Sequence, residues 1–407
     1  MFELNGGSVT ARVPGAGDPL RRRRFGFALS ITSITAMMAG ASAPSPFYPV
    51  LAETIGFSAL VTTAIFAVYA LALLCTLLTA GSLSDHVGRR PVASVGLLLL
   101  AASIVVFWHA ESVPLLVIAR VLQGIASGLL LSAVSAAITD LESPKRPGSA
   151  AVWNAVAPML GLGIGALAAG IALDAAENAM TAIFGPLSAI YVVLAVLFRF
   201  VPETAPRSPG ALRSLQFRLT VPSEMRVEFM QGAPAIFAGW ATGGLFLSLG
   251  ASIVHVELGG EAHVWQGLSV GVLAGAGAVA AFLLRRRSAR VIAVYGAAAL
   301  AIGTACSLVA LAAGSLPGYL VAVAITGSGF GTAFFGVVSS LAPHIPATQR
   351  ADVFAVIFLV SYLAFGVPTV LAGLLVQFVG LTPVAFGYGA VVIVFAGVAC
   401  VMRLRRG

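Results

Sequence analysis

The chain has 407 residues, of which 59% are hydrophobic and 9% are charged, and its formal net charge is +8. A soluble domain carries roughly 25% charged residues, so this composition excludes an ordinary globular protein and predicts a chain built for lipid. A basic excess can also indicate a nucleic-acid partner, but these bases fall between apolar runs and form no single patch, which argues against that class.

Twelve apolar runs follow a polar N-terminal segment. Residues 1–24 end in four arginines and are expected to form a disordered cytoplasmic tail. Each later run is long enough to cross a hydrocarbon core about 30 Å thick as a helix, and helices are required because lipid cannot satisfy open backbone groups. No run alternates like a barrel strand. The predicted spans are residues 25–47, 57–80, 92–110, 113–139, 150–172, 181–200, 229–255, 263–284, 291–313, 317–342, 352–379 and 383–402.

The basic residues mark one side of the predicted membrane. Arg89 and Arg90 follow the second run, and Lys145 and Arg146 follow the fourth, whereas the connection between the third and fourth runs holds Glu111. Positively charged connections are retained in the cytoplasm, so we expect a multi-pass protein of the inner, cytoplasmic membrane with both termini cytoplasmic. The three cysteines are dispersed through apolar runs, and we expect no disulfide framework, metal site or cofactor.

The connection between the second and third spans is short, polar and charged. It reads Gly-Ser-Leu-Ser-Asp-His-Val-Gly-Arg-Arg over residues 81–90. Every defining position matches the G-x-L-[AS]-D-[RH]-x-G-[RK]-[RK] loop of the major facilitator superfamily of secondary transporters, and the chain resembles that family on this ground. The matching residues are Gly81, Asp85, Gly88, Arg89 and Arg90.

The resemblance implies that Asp85 helps to hold the inner face closed while the outer face is open. Its candidate partners are the local arginines and the N-terminus of the eleventh helix near Asp352, where free N–H groups attract an anion. The arginine pair is expected to bridge Asp140 or Glu142 at the inner end of the fourth helix. The alternative is a tight basic turn that only sets orientation.

An internal repeat divides the chain into two halves. At one constant offset, Gly124 aligns with Gly327 and Gly128 aligns with Gly331. The resemblance implies an all-α membrane fold of twelve transmembrane helices in two pseudo-symmetric six-helix bundles, with the substrate site between them. The predicted organisation is a tail over 1–24, an N-terminal bundle over 25–200, a cytoplasmic linker over 201–228, and a C-terminal bundle with a short basic tail over 229–407.

One arginine, Arg120, lies inside a predicted span. An arginine at the centre of a span costs on the order of 3 kcal/mol, so it is expected to face protein or water. It opens the run Arg-Val-Leu-Gln-Gly, which resembles the R-x-x-Q-G motif of the family's fourth helix and implies a role in substrate binding or coupling. Gln123, one turn away, is placed to share a hydrogen bond with it. The alternative is that Arg120 snorkels to the outer interface.

Prolines and glycines shape two of the predicted helices. The fifth span holds Ala-Pro-Met-Leu-Gly, a partial match to the G-P-x-x-G motif of exporting members of the family, with alanine in place of the first glycine. Its glycines are expected to let the bundles approach closely. Three prolines near the outer end of the first span should break or bend that helix. The predicted packing residues are Gly124, Pro158, Gly161 and Gly165.

The predicted pocket is mostly apolar. No Asp or Glu lies deep inside a predicted span, so a coupling proton is implied by the family alone. A lone buried arginine favours neutral or anionic substrates over cations. An aromatic side chain in a span packs more often than it binds, but amphipathic groups at depth have a reason to face a pocket. The expected lining residues are Asn154, Trp240 and Tyr362.

These features predict a secondary active transporter and not an enzyme. It is expected to export a small, largely apolar or weakly anionic molecule by alternating access, as a monomer whose partners are its substrate and the lipid bilayer. Uptake of a metabolite by a permease or facilitator of the same fold is the alternative. A membrane-embedded enzyme would need clustered acids or histidines within the spans, and a channel would need a ring or filter repeat; the sequence has neither pattern.

Overall fold

The computed structural model describes residues 19–206, 208–209, 225–345 and 350–405. Every regular element in these residues is a helix, and eleven of the helices are long and apolar enough to cross a membrane. A twelfth span results if Arg226–Ser248 and Gly250–Glu257, which are bent by 61° at their junction, are counted together. In chain order the α-helices are α1 (Pro19–Ser42), α2 (Phe47–Ile55), α3 (Ala59–Ala80), α4 (Leu83–Val87), α5 (Arg89–Trp108), α6 (Val113–Asp140), α7 (Ser149–Ala175), α8 (Ala179–Leu197), α9 (Arg226–Ser248), α10 (Gly250–Ser252), α11 (His263–Leu284), α12 (Ala289–Ala312), α13 (Leu316–Leu341), α14 (Arg350–Val379) and α15 (Leu381–Leu404).

The helices start and end close to the predicted span boundaries, with one clear difference at the N-terminus. Helix α1 begins at Pro19, so Arg21–Arg24 are helical and not part of a disordered tail. Arginine is a good helix former and proline is favoured in the first turn, which accounts for the earlier start. The rest of the predicted tail, residues 1–18, and most of the predicted linker, residues 210–224, lie outside the described part of the chain.

The connections between spans fall into two sets because successive spans alternate in direction. One set carries the arginine clusters, including residues 89–90 and 285–287, and we call this the arginine-rich side. The other set, which holds no Lys or Arg and is described throughout, is called the opposite side. The positive-inside rule predicts that the arginine-rich side is cytoplasmic.

The first and seventh spans are both broken near the opposite side. Residues 43–46 separate α1 from α2, as the proline run predicts, because Pro44 and Pro46 donate no backbone N–H. The seventh span bends at Leu249, just before a π-helical turn at Ile253–Glu257. Kinks commonly coincide with glycines and π-turns, and this second break was not predicted from the sequence.

The internal repeat of the sequence is visible as matched helix packing. Gly124 in α6 lies against the backbone of α3, where an added Cβ would be 2.5 Å from the carbonyl oxygen of Tyr69. Its counterpart Gly327 in α13 lies against α11, at the carbonyl group of Leu273. The equivalent pair of spans is therefore joined in each half. The predicted fold of two six-helix bundles is confirmed, with α1–α8 in the N-terminal bundle and α9–α15 in the C-terminal bundle.

The two bundles meet mainly along two helix pairs, α7 with α11 and α3 with α14. A further pair of aligned glycines makes these contacts possible. A Cβ added at Gly170 of α7 would lie 2.7 Å from the carbonyl oxygen of His263, and one added at Gly373 of α14 would lie 2.9 Å from that of Ala59. Only glycine permits helix backbones to approach this closely.

Helix α7 has small residues on two faces, and the predicted glycines lie on the face turned away from the other bundle. Gly161 and Gly165 pack against α1 of the same bundle, where a Cβ added at Gly161 would be 2.7 Å from the Cβ of Met38. The expectation that the glycines of this helix let the bundles approach closely is therefore wrong for Gly161 and Gly165. It holds for Gly163 and Gly170, which the helical period places on the opposite face, against α11. Pro158 lies within the same helix without ending it.

Candidate functional site

The connection between α3 and α5 holds a network of hydrogen bonds centred on Arg89. Its guanidinium forms an ion pair with Asp85, donates to Ser84 Oγ at 2.6 Å, and places Nε 3.5 Å from Asp140 Oδ2. The Arg89 side chain is 15% exposed while that of Asp85 is 52% exposed, so the arginine and not the acid is the buried centre of the network. The predicted contact with Asp140 is present in the structure.

An acid that sequence analysis missed completes this network. Glu203, just after the sixth span, accepts hydrogen bonds from the backbone N–H groups of Arg89 at 2.7 Å and Arg90 at 3.2 Å. It therefore caps the start of α5, whose first N–H groups have no partner within the helix. Gly88 is required here, because its φ is +112° and an added Cβ would be 2.7 Å from Glu203 Oε2.

The arginine pair was expected to bridge Asp140 or Glu142, and Glu142 makes no such contact in the described residues. Its Oε1 accepts hydrogen bonds from Ala150 N at 2.7 Å and Ser149 Oγ at 3.1 Å, so it caps α7 instead. The arginine that reaches this connection is Arg23, whose Nη2 donates to the carbonyl oxygens of Asp140 and Glu142 at 2.8 Å each. An acid two residues beyond a helix end is well placed to cap the next helix, and that local bond prevails.

The ion pairs that the arginine loop makes in the described part of the chain lie within the N-terminal bundle. Among the described residues, Asp85 is paired with Arg89 of the N-terminal bundle, and no ion pair joins it to the start of α14. The predicted contact with that helix is thus absent among the described residues, which leave out positions 346–349. Gly81 ends α3 just before the network, which lets the chain turn into it.

Arg120 is buried within the N-terminal bundle, where it is 1% exposed. Its Nε donates to Tyr48 Oη at 3.0 Å, its Nη2 donates to the same phenol, and its Nη1 donates to Gln123 Oε1. Gln123 Nε2 in turn donates to the carbonyl oxygen of Gly40 at 2.8 Å. The predicted bond with Gln123 is confirmed. The snorkelling alternative is wrong, because the guanidinium is held by side chains of the bundle and not by the interface.

Three aromatic rings surround the Arg120 guanidinium. Its Cζ lies 5.5 Å from the ring centroid of Tyr48, 5.7 Å from that of Tyr69 and 5.4 Å from that of Phe107. Cation–π contacts stabilise a cation in an apolar site. Within the described residues no carboxylate forms a salt bridge with Arg120, so the positive charge is buried without a protein anion.

An aromatic cluster lies where the two bundles meet, and we call it the interface cluster. Its members in the C-terminal bundle include Trp240 and Tyr362, whose ring centroids are 4.7 Å apart. Phe66 of α3 packs across the interface on Phe365 of α14 at 4.8 Å. Tyr69, the ring beneath Arg120, belongs to the same cluster. The structure therefore brings the predicted residues Trp240 and Tyr362 together and connects them to Arg120 through Tyr69.

Asn154 lies apart from the interface cluster. Its Nδ2 donates to the carbonyl oxygen of Ser135 at 3.4 Å, which directs the side chain toward α6 within the same bundle. Its Oδ1 is buried and has no hydrogen-bond partner among the described residues. In the described part of the chain, no hydrogen bond joins Asn154 to Trp240 or Tyr362.

The chain matches the Major Facilitator Superfamily model over residues 29–369. It belongs to this family. The human organic anion transporter MFSD10 has the same fold, with a TM-score of 0.68 over 94% of this chain and 100% of that one at 19% identity. The family resemblance carried by the arginine loop is thus confirmed, and the members of this family and fold are transporters and not enzymes.

Individual relatives are more distant. The multidrug resistance protein MdtL of Shewanella oneidensis is 34% identical over 98 residues, which is 24% of this chain and 25% of that protein. A triacylglyceride transporter of Mycolicibacterium smegmatis is 31% identical over 168 residues, which is 39% of this chain and 30% of that protein. The chain thus spans about a quarter to a third of the length of each of these two relatives.

Proposed function

We propose that this transporter exports a small, largely apolar or weakly anionic molecule across the cytoplasmic membrane by alternating access. The observation that supports this substrate class is the Arg120 guanidinium, which is buried among three rings with no carboxylate partner in the described residues. A buried cation of this kind repels a cationic substrate and attracts a carboxylate. The partial similarity to MdtL supports export as the direction.

The proposed substrate lies against the interface cluster. Trp240, Tyr362 and Phe365 offer an apolar surface that closes and opens as the bundles move, which suits the hydrophobic part of the molecule. Tyr69 touches both this cluster and Arg120, so an acidic group on the substrate is drawn toward that ring. Arg120 thus acts through its field and through Tyr69 while it stays bonded to Tyr48.

The proposed inner gate is the arginine loop. In this structure its ion pairs lie within the N-terminal bundle, and we assign the contact between Asp85 and the start of α14 to the alternative state, in which the arginine-rich side is closed. A contact that exists in one state and breaks in the other biases the equilibrium between them. The loop then serves as a conformational element in addition to setting orientation.

The proposed coupling ion is a proton, and this part rests on the family alone. The acids of the described spans lie near helix ends, at Glu53, Asp140, Asp174, Glu228, Glu257 and Asp352. The charged residue deep within a described span is Arg120. Proton coupling would therefore use a group near a membrane surface and not a buried carboxylate.

Matched ligands test the substrate class. Hydrophobic carboxylic acids, their neutral amides and their amines share one apolar body and differ in charge. Thermal shifts of the purified protein should rank acid and amide above amine, and Arg120→Gln should remove the advantage of the acid over the amide. Equal shifts from all three ligands would contradict the proposal.

Vesicle orientation tests the direction. A carboxylic acid that binds should accumulate in inverted vesicles and should be depleted from intact cells that express the protein. Accumulation by intact cells would show that the protein takes its substrate up and does not export it, and it would leave the proposed substrate site unchanged.

A further inference from the structure

The two bundles are tied together on the opposite side by one carboxylate. Asp174, at the end of α7, accepts three hydrogen bonds from the start of α11. Oδ1 accepts from His263 N at 2.8 Å and lies 2.9 Å from His263 Nδ1, and Oδ2 accepts from Val264 N at 2.7 Å. Both oxygens of the carboxylate are used, and all three donors belong to the other bundle.

This carboxylate supplies a cap that α11 does not supply for itself. The residue before the helix is Ala262, which makes no side-chain hydrogen bond to the first turn. The first N–H groups of a helix lack partners within it, and the positive end of the helix dipole attracts an anion. Helix α11 is thus capped across the bundle interface, so its start is best satisfied only while the two bundles touch on this side.

Close packing beneath the pair fixes its geometry. The helix backbones approach at Gly170, where an added Cβ would be 2.7 Å from the carbonyl oxygen of His263. The side chains of His263 and Asp174 are 31% and 29% exposed, so the contact is partly shielded from water. Separation of α7 and α11 by a few ångströms would break all three bonds at once, because hydrogen bonds fail beyond about 3.5 Å.

The two sides of the molecule differ in this respect. On the arginine-rich side the ion pairs of Asp85 and Arg89 stay within one bundle, whereas on the opposite side the Asp174–His263 contact crosses between bundles. The Asp174–His263 contact exists only while the opposite side is closed. It is therefore able to bias the equilibrium between states.

We propose that Asp174 and His263 form a latch that holds the opposite side closed. The latch and the arginine loop favour different states. Asp174 stabilises the state in which the opposite side is closed, and Asp85 stabilises the state in which the arginine-rich side is closed. The inference rests on the alternating access of the proposed function and on neither its substrate nor its direction. No sequence motif marks the latch, and its two residues lie on different bundles.

Labelling of a buried reporter tests the latch without any substrate. In a background where the three cysteines are replaced by serine, Val270→Cys places a thiol in the interface cluster, where the native side chain is 2% exposed. A membrane-impermeant maleimide is added from the opposite side. Asp174→Asn removes the negative charge and one of the two acceptor oxygens at the start of α11, so it should raise the labelling rate about three-fold, the factor expected for loss of a charge at a helix N-terminus. Asp174→Glu, which keeps the charge, should restore slow labelling.

Two controls keep the test specific. Glu177→Gln removes the same charge from an exposed acid on the same connection and should leave the labelling rate unchanged. A cysteine pair at positions 174 and 263 should stop labelling on oxidation and restore it on reduction. A pair at Glu257 and Thr382, which are bonded on the same side within the C-terminal bundle, should have no effect. A native labelling rate in Asp174→Asn, with normal thermal stability, would overturn the latch and leave the proposed substrate class untouched.

Discussion

The phenol of Tyr48 lies on the guanidinium of Arg120, with its oxygen 3.0 Å from Nε and its ring centroid 5.5 Å from Cζ. Tyr48 stands on α2, beyond the break in the first span, while Arg120 stands on α6. The outer segment of the first span is therefore held in place by the buried cation. A change in the position of α2 would also change how Arg120 is satisfied.

Removal of this phenol should destabilise the protein. Tyr48→Phe leaves two guanidinium N–H groups buried without an acceptor, which costs about 1–3 kcal/mol. The expected result is a lower midpoint of thermal unfolding in detergent. Tyr295→Phe, which removes an exposed phenol bonded to Ser328 at 2.9 Å, is the matched control and should shift the midpoint little. Equal shifts in the two variants would show that Arg120 does not depend on Tyr48.

The turn at Gly88 should resist any side chain. Gly88→Ala combines a φ of +112° with a clash against Glu203, so the cap on α5 should be lost. Hydrogen exchange at the Arg89 and Arg90 amides should accelerate. Gly148→Ala is the control, because its φ is +85° but an added Cβ meets nothing within 4 Å. Unchanged protection of the two amides in Gly88→Ala would mean that Glu203 is not their acceptor.

The two carboxylates at the membrane surfaces should have opposite effects. Asp85→Asn is expected to weaken the state in which the arginine-rich side is closed, so the cysteine reporter at position 270 should react faster from that side and slower from the other. Asp174→Asn should do the reverse, and the double variant should return toward the native rates. If Asp85→Asn changes neither rate, the arginine loop serves only to set orientation.

Charge and apolar contact should be separable in the interface cluster. Trp240→Leu reduces the aromatic surface that meets Tyr362 and Phe365 and should weaken binding of acid and amide ligands alike. Arg120→Gln should weaken only the acid. The measurement is the ratio of dissociation constants for the two ligands in each variant. A changed ratio in Trp240→Leu would show that the indole takes part in charge recognition.

The sequence predicts contacts well when they are local along the chain. Arg120 and Gln123 lie one turn apart on α6, so helical geometry alone places their side chains together. The apolar runs predict the spans for a similar reason, because lipid permits only helices there. The break after α1 follows from prolines that donate no hydrogen bond.

Contacts between distant segments could not be predicted in the same way. Glu203 reaches α5 only after the helices of the N-terminal bundle have packed, and Asp174 reaches α11 only after the two bundles have met. In the sequence both acids come just after a predicted span, where a polar residue is expected at the membrane surface. The signal that could have found them is indirect: α5 and α11 each begin without a capping side chain of their own, after Gly88 and Ala262. A helix start of this kind requires an acceptor from elsewhere.

The two small-residue faces of α7 have different partners: one face packs within its own bundle, and the other face packs against the second bundle. Gly161 packs against α1 within one bundle, whereas Gly170 faces α11 of the other bundle, which under the proposed alternating access moves away and returns. A methyl group at position 161 would be a permanent defect of one folded unit. The same methyl group at position 170 would hold α7 and α11 apart, so it would hinder each closure between the two bundles. Two identical chemical changes, nine residues apart on one helix, would therefore lower different quantities. The change at position 161 would lower the yield of folded protein, and the change at position 170 would lower the rate of transport.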